Sequence, residues 1–272
     1  MLRAVDFGES DRIVHLLTPA LGRLAAIAKG ARRSRRRFPG TLDLLNRLAV
    51  QIERRRPAVL ARLEGARLLH TYEVVRGDAG RFALACYLLE LLDRLAPEGG
   101  APADLGRLFR FADGALALLD RDAPDARMRT LLELRALSAL GLRPELLRCV
   151  RCDRAIEAPA GTGPGGAVVR FVIAEGGPVC GGCVAASPLG PALPVHIGTL
   201  RALDRALRFP WAQMGRVALG GASLAEAAQL VTRFLGFHVG VELQSRRILD
   251  EQLTLPGGEG KLRPPRRKGA AL

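Results

Sequence analysis

In the first quarter of the chain apolar positions alternate with polar ones; beyond it they recur at helical spacing. Arg12-Ile-Val-His-Leu-Leu-Thr18 runs into Pro19-Ala-Leu-Gly22, a turn signal, and then into Arg23-Leu-Ala-Ala-Ile-Ala-Lys29, which together predict a hairpin. Arg47 to Arg54 places Leu48, Val50 and Ile52 between polar neighbours, the period-2 mark of a half-buried strand. The stretch from Val59 through Gly65 to His70 predicts one more. Four or five strands in about 75 residues, with no good helix among them, predict a small closed barrel such as the five-stranded OB-fold. Pattern alone leaves an SH3-like barrel open.

After Gly77 the period changes. Phe82–Leu95, Leu105–Leu119 and Met128–Leu140 carry apolar residues at i, i+3, i+4 and i+7, and Gly141 with Pro144 ends the third of them. A Pro/Gly-rich loop over 158–166 and a strand-like Val168-Val-Arg-Phe-Val-Ile173 follow. Helical pattern resumes at Ile197–Leu207, Leu224–Val239 and Gln244–Leu253, with Ser223 and Glu226 read as a capping box. The expected fold class is α+β and multidomain. An OB-fold barrel covers 1–76, and a helical domain 77–144 and 196–256 is split by a four-cysteine zinc insertion at 145–195. Residues 257–272, rich in Gly, Pro and basic residues, are expected to be a disordered tail.

Composition sharpens this picture mainly through charge. Hydrophobic residues make up 49% and aromatics 4%, so cores must be built from Leu, Ala and Val. The formal net charge is +14, of which +9 lies in residues 1–76 and +4 in 257–272, leaving +1 for the 180 residues between. A localised excess of this kind is the footprint of a polyanion binder; the plainer reading is a solubility device in an Arg-rich proteome. No secretory h-region and no run of 18 apolar residues is present, which predicts a soluble, cytoplasmic protein without a membrane partner.

Cys149, Cys152, Cys180 and Cys183 form two Cys-x-x-Cys knuckles, enough thiolates for one tetrahedral zinc. Such a closed shell leaves no position for substrate, so the zinc is expected to be structural. The knuckles stand further apart than in a common zinc ribbon, which the 158–166 loop could absorb. Arg148, Arg151 and Arg154 would ease deprotonation of the thiols. Cys86, inside a helical pattern, reads as a buried small hydrophobe. In Lys29-Gly-Ala-Arg32-Arg33-Ser-Arg35-Arg36-Arg37, six cations in nine residues occupy a loop between strands, and Arg54, Arg55 and Arg56 form a second cluster. Both are candidate DNA-binding residues. With only Phe7, Phe38 and Tyr72 nearby for stacking, the expectation is backbone tracking over base reading. Asp6, Glu9 and Asp11 read as turn and strand-edge residues. His15, His70, His196 and His238 stand on different elements, and no phosphate loop or nucleophile elbow occurs, so no catalytic residue, small-molecule substrate or enzyme is expected.

The stretch from Leu2 to Leu24 with Ala28-Lys-Gly-Ala-Arg-Arg-Ser-Arg-Arg-Arg-Phe38 resembles the bacterial recombination mediator family RecO. Tyr87-Leu-Leu-Glu-Leu-Leu-Asp93, Arg129-Thr-Leu-Leu-Glu-Leu-Arg-Ala-Leu137, Gly141-Leu-Arg-Pro-Glu-Leu146 and Cys149-Val-Arg-Cys152 resemble it in the same order. The resemblance covers residues 2–253 and implies an OB-fold followed by a helical domain with a zinc knuckle. It further implies binding of single- and double-stranded DNA, annealing of complementary strands, and loading of RecA, with RecR, onto strands coated by single-strand-binding protein. It implies docking of the acidic C-terminal tail of that protein, for which Arg201, Arg205 and Arg208 beside Phe209 and Trp211 are candidates. Carried over, Lys29 and Arg32, Arg33, Arg35, Arg36 and Arg37 fall on the family's basic loop and the four cysteines on its zinc positions. Members usually carry residues ahead of Leu2-Arg3, so the resemblance implies a late start at Met1 and a short first strand with an exposed edge. A basic zinc-ribbon protein of RNA or the ribosome is the alternative, and a zinc-dependent hydrolase a third reading.

Overall fold

The computed structural model describes residues 1–53, 60–158, 166–187 and 190–256. Arg54, Arg55 and Arg56, most of the Pro/Gly-rich loop and the basic tail lie outside the described residues. The first unit is a five-stranded, OB-like sheet of β1 (Arg3–Phe7), β2 (Asp11–Thr18), β3 (Gly22–Ala28), β4 (Arg47–Glu53) and β5 (Ala61–His70) in the order β1-β2-β3-β5-β4. Sequential neighbours pair antiparallel, whereas β3 and β5 run parallel through Ala26 opposite Ala61 and Ile27 opposite Arg62. Alternation dictates the inner face. Leu24, Ala26 and Ala28 of β3 are buried with Val14 and Leu16 of β2, Leu63 of β5, and Phe38 and Leu42 from the β3–β4 connection.

The expectation of a closed barrel needs correction. Among the described residues no ladder joins β1 to β4, so the sheet is open. β1 has five residues and pairs with β2 alone. Across the seam the Met1 amine donates to the Asn46 carbonyl at 2.7 Å.

The helices are α1 (Glu73–Gly77), α2 (Ala79–Leu95), α3 (Pro102–Arg121), α4 (Ala126–Ala139), α5 (Gly181–Ala186), α6 (Ile197–Arg208), α7 (Gly221–His238) and α8 (Ser245–Gln252). Between α4 and α6 a small antiparallel sheet orders as β7-β6-β8, from β6 (Val168–Val172), β7 (Gly177–Val179) and β8 (Ala192–His196). Asp78 and Asp125 cap α2 and α4 by accepting from the amides of Arg81 and Met128. Gly141, at φ 82°, turns the chain off α4 while Leu142 donates to the Leu137 carbonyl at 2.8 Å. The capping box at Ser223 is not formed: α7 starts two residues earlier, at Gly221, because Gly220 and Gly221 make the turn. Glu226 instead accepts from the Thr199 hydroxyl at 2.8 Å and from the His196 amide, and so caps α6.

Helix α4 lies at the centre, with all but three of its fourteen residues buried against α2, α3, α6 and α7. The sheet docks on this bundle through the β2–β3 turn. Arg23 donates its amide to the Pro97 carbonyl at 3.0 Å, Gly99 donates to Leu21 at 3.1 Å, and His15 Nδ1 meets Asp93 at 2.6 Å. Gly22 sits in the tightest part of the joint, at φ +69°, where a Cβ would stand 2.7 Å from the Pro97 oxygen and 2.8 Å from Leu105 Cδ2. No helix among the described residues is long and apolar enough to cross a membrane.

Gly22→Ala is therefore expected to lower unfolding free energy by about 2–4 kcal/mol, since left-handed strain and overpacking add. Gly8→Ala, at φ +60° with nothing within 4 Å, is the control and should cost only about 1 kcal/mol. Urea unfolding of both variants checks this; equal losses would show that the joint yields freely.

Candidate nucleic-acid interface and metal centre

The basic loop follows β3 and divides by function. Three of its cations are engaged. Lys29 Nζ pairs with Asp11 at 2.7 Å, Arg37 donates to the Lys29 carbonyl at 2.6 Å and lies over the Phe38 ring, and Arg32 reaches the Glu9 carbonyl at 3.3 Å and Asp6 at 3.5 Å. The other three, Arg33, Arg35 and Arg36, are exposed, and their guanidinium groups have no partner among the described residues. The loop's ends are fixed. Arg32 donates its amide to Ser10 O at 3.0 Å, Ala66 donates to Arg37 O at 3.1 Å, and Phe38 is buried in the sheet core. Three unpaired guanidinium groups on a fixed turn can engage phosphates with little desolvation loss.

Of the aromatics read as stacking candidates, Phe38 and Tyr72 are buried, and the Tyr72 hydroxyl donates to Asp113 at 3.2 Å. Only Phe7, 51% exposed at the end of β1, remains on the surface. The acidic trio reads differently in three dimensions: Asp6, Glu9 and Asp11, which looked like plain turn residues, contact the basic loop. Lys29 and the Gly30 amide hold the Asp11 carboxyl below the usual carboxylate range. Their partners lie about twenty residues away in sequence, so local pattern carries no signal of them.

The four cysteines converge. Cys149 sits in a tight turn in which its amide donates to Arg154 O and accepts at its carbonyl from Asp153, both at 2.8 Å. Glu145 holds the approach to this turn by accepting from the amides of Leu146, Leu147 and Arg148. Cys180 precedes α5, and Cys183 lies within it. The hairpin β6–β7 occupies the long spacing between the knuckles and returns the second one to the first. The four Sγ atoms lie within 4.8 Å of one another, with Cys152 and Cys180 at 3.6 Å. For Cys149 burial raises the thiol's pKa, but amide donors from Cys180, Arg151 and Cys152 outweigh it and bring it to about 6, whereas Cys183, hydrogen-bonded to Cys152 and Cys180, rises to about 12. Such a donor set fits a metal ion with four sulfur ligands. Of the neighbouring arginines, Arg151 interacts electrostatically with Cys183 and Cys149 and reaches the Cys183 carbonyl at 3.4 Å. Arg148 forks onto Asp153 at 2.7 and 2.8 Å, and Arg151 onto Glu175 at 2.8 and 2.7 Å.

Arg201, Arg205 and Arg208 lie exposed along α6, with Arg208 paired to Asp204 at 2.6 Å. Trp211 does not join them as a pocket wall. Its ring fills a socket opened by Gly114, tilts against Phe111 and takes the Arg135 guanidinium at 4.5 Å. A separate groove of about 940 Å³ runs between α2, the end of α7 and α8, with Leu91, Leu235 and Val239 in its walls and Arg94, Arg246 and Arg247 set among Glu242, Asp250 and Glu251.

Known proteins place this architecture. The family profile described as Recombination protein O N terminal matches residues 1–72, and that described as Recombination protein O C terminal matches residues 76–247. The chain is 40% identical over 258 residues to the DNA repair protein RecO of Anaeromyxobacter dehalogenans strain 2CP-C, covering 95% of this chain and 96% of that one. It is 34% identical over 254 residues to the RecO protein of Geobacter sulfurreducens, covering 93% and 96%, and 31% identical over 253 residues to that of Syntrophus aciditrophicus, covering 92% and 93%.

Replacing one of the four thiols should remove the metal and loosen the helical half. Cys152→Ser is expected to purify with little metal and to unfold about 10 °C lower. Elemental analysis with a thermal scan checks both, and unchanged metal content with an unchanged midpoint would contradict the assignment.

Proposed function

The chain belongs to the RecO family, and from that footing we propose that it is a non-enzymatic mediator of DNA repair and recombination. It binds single- and double-stranded DNA through the β3–β4 loop, anneals complementary strands, and with RecR loads RecA onto strands coated by single-strand-binding protein. The observation that carries this reading is the set of three exposed, unpaired arginines, Arg33, Arg35 and Arg36, on a loop whose other cations are tied down. The mechanism is electrostatic. Guanidinium groups screen the repulsion between two phosphate backbones and release their counterions, while the scarcity of exposed aromatics leaves base edges free to pair with the incoming strand.

The metal is zinc in this reading. Two sulfurs on a tetrahedral zinc at ~2.3 Å stand ~3.8 Å apart, close to the 3.6 Å between Cys152 and Cys180. Cys149, Cys152, Cys180 and Cys183 would all be ligands, so the ion would hold the small sheet onto the bundle and would take no part in chemistry. The acidic tail of single-strand-binding protein would dock on the helical half, where the exposed arginines of α6, Arg201, Arg205 and Arg208, are the candidates; in the groove beside α8 the arginines are matched by Glu242, Asp250 and Glu251. A cytoplasmic location, in contact with the nucleoid, follows from the DNA substrate.

The test is binding of a labelled single-stranded oligonucleotide across a salt series. A variant with Arg33, Arg35 and Arg36 changed to Ala should bind roughly ten-fold more weakly or worse, with the slope of log affinity against log salt reduced by about 2, three single-strand phosphate contacts being lost. Unchanged affinity and slope would contradict the proposal. Competition with structured RNA separates polymers, since a strong RNA preference would instead favour a ribosome-associated role.

A further inference from the structure

The acidic trio at the β1–β2 turn looks misplaced beside a surface meant for phosphates. Each carboxylate there should repel DNA and compete for the arginines. Asp11 has a geometry that argues otherwise. It is the first residue of β2, opposite Phe7 at the end of β1, and therefore rigidly placed. Its Oδ2 takes Lys29 at 2.7 Å, its Oδ1 takes the Gly30 amide at 2.8 Å, and the Ser10 hydroxyl adds a contact at 3.3 Å. Gly30, at φ +66°, is the point where the chain leaves β3 in a left-handed conformation. From there the loop bends back, with the Arg33 amide donating to Gly30 O at 3.2 Å and Arg37 donating to Lys29 O. The turn that presents Arg33, Arg35 and Arg36 thus starts from the two residues that Asp11 holds, and two of its internal hydrogen bonds end on their carbonyls.

We infer that Asp11 is a positioning residue for nucleic-acid binding: it fixes the Lys29–Gly30 turn and so aims the three unpaired arginines, although its own charge opposes the ligand. This rests on the reading that the loop binds nucleic acid. Electrostatics and positioning predict opposite signs. By charge alone, removing Asp11 deletes a negative group and frees Lys29 for a phosphate, so binding should tighten. If Asp11 positions the loop, losing the acceptor for the Gly30 amide lets the turn fluctuate, and ordering it again on the ligand weakens binding.

Two variants of equal charge separate the effects. Asp11→Asn keeps an oxygen that accepts from Gly30; Asp11→Ala keeps none. Titrating a labelled oligo-dT strand with the full chain, Asp11→Ala is expected to bind roughly five-fold more weakly than Asp11→Asn, the worth of about one hydrogen bond. Both variants should unfold at the wild-type temperature. A general loss of fold would move that midpoint, and a charge effect would move both variants alike. Asp11→Ala binding as tightly as Asp11→Asn, or more tightly, would overturn the inference. Should Asp11→Ala fail to fold, amide exchange in the unaltered chain decides: a protected Gly30 amide supports the clamp and an unprotected one overturns it. The variant lacking Arg33, Arg35 and Arg36 keeps the two readings apart. If it binds normally, the loop reading itself fails. If it loses binding while the two Asp11 variants match, only the role of Asp11 is lost.

Discussion

Two arginines buried in one helix hold the helical body together. Arg129 has no exposed surface, and neither does Glu133 one turn along α4, 3.2 Å away. Arg129 also donates to the Leu253 carbonyl at 2.6 Å and to Asp250 at 2.5 Å, so α8 and the residues after it are tied to the centre by a charge. At the other end of α4, Arg135 donates to the carbonyls of Ala206 and Phe209, closing the C-terminus of α6, while its guanidinium stacks on Trp211. A buried ion costs several kcal/mol in lost hydration unless every donor is met. These two are met only when α6 and α8 are in place, which makes helix packing around α4 close to all-or-none. Burial pushes the Glu133 carboxyl up and drags Arg135 down to about 10, both signs of how little water reaches this axis.

The basic sheet and the four-cysteine cluster both attach to that body. The chain leaving α4 turns at Gly141 and within eight residues reaches Cys149, itself packed in the same apolar core. The four-cysteine cluster is therefore an extension of the bundle, with the hairpin β6–β7 returning its second pair to the first. Asp93 near the end of α2 and Pro97 beyond it receive the β2–β3 turn, which fixes the sheet and with it the loop that follows β3. DNA contacts would thus be made on a platform whose orientation is set by the helices, and the exposed arginines of α6 would bring a protein partner to the same body.

Much of this was readable before any coordinates. Strands β2, β3 and β4 announce themselves because one face of each turns to the core, buried in β2 and β3 and half-buried in β4, and their alternation survives in the residues. Helices α2, α3 and α4 do so through apolar spacing, and two Cys-x-x-Cys pairs have few other uses. What escaped was long-range. Whether β1 meets β4 depends on strands more than forty residues apart, and no local pattern specifies it. Ser223 and Glu226 have capping-box spacing, yet two preceding glycines start α7 early and Glu226 turns to α6. Trp211 beside a row of arginines resembles a pocket rim, but Gly114 on α3 provides a socket that only the folded chain brings to it. The basic run was evident as charge, whereas its division into anchoring and free cations depends on Asp6, Glu9 and Asp11 from a separate turn.

In the proposed function, this chain brings complementary strands together through the charge presented by the β3–β4 loop. Annealing of complementary oligonucleotides precoated with single-strand-binding protein tests it most directly, comparing the unaltered chain with one in which Arg32, Arg33, Arg35, Arg36 and Arg37 are Ala. Rapid annealing by the former and only the spontaneous rate with the latter is the expected result. Equal annealing by both would move the activity off the loop, and annealing by neither would contradict the mediator function itself.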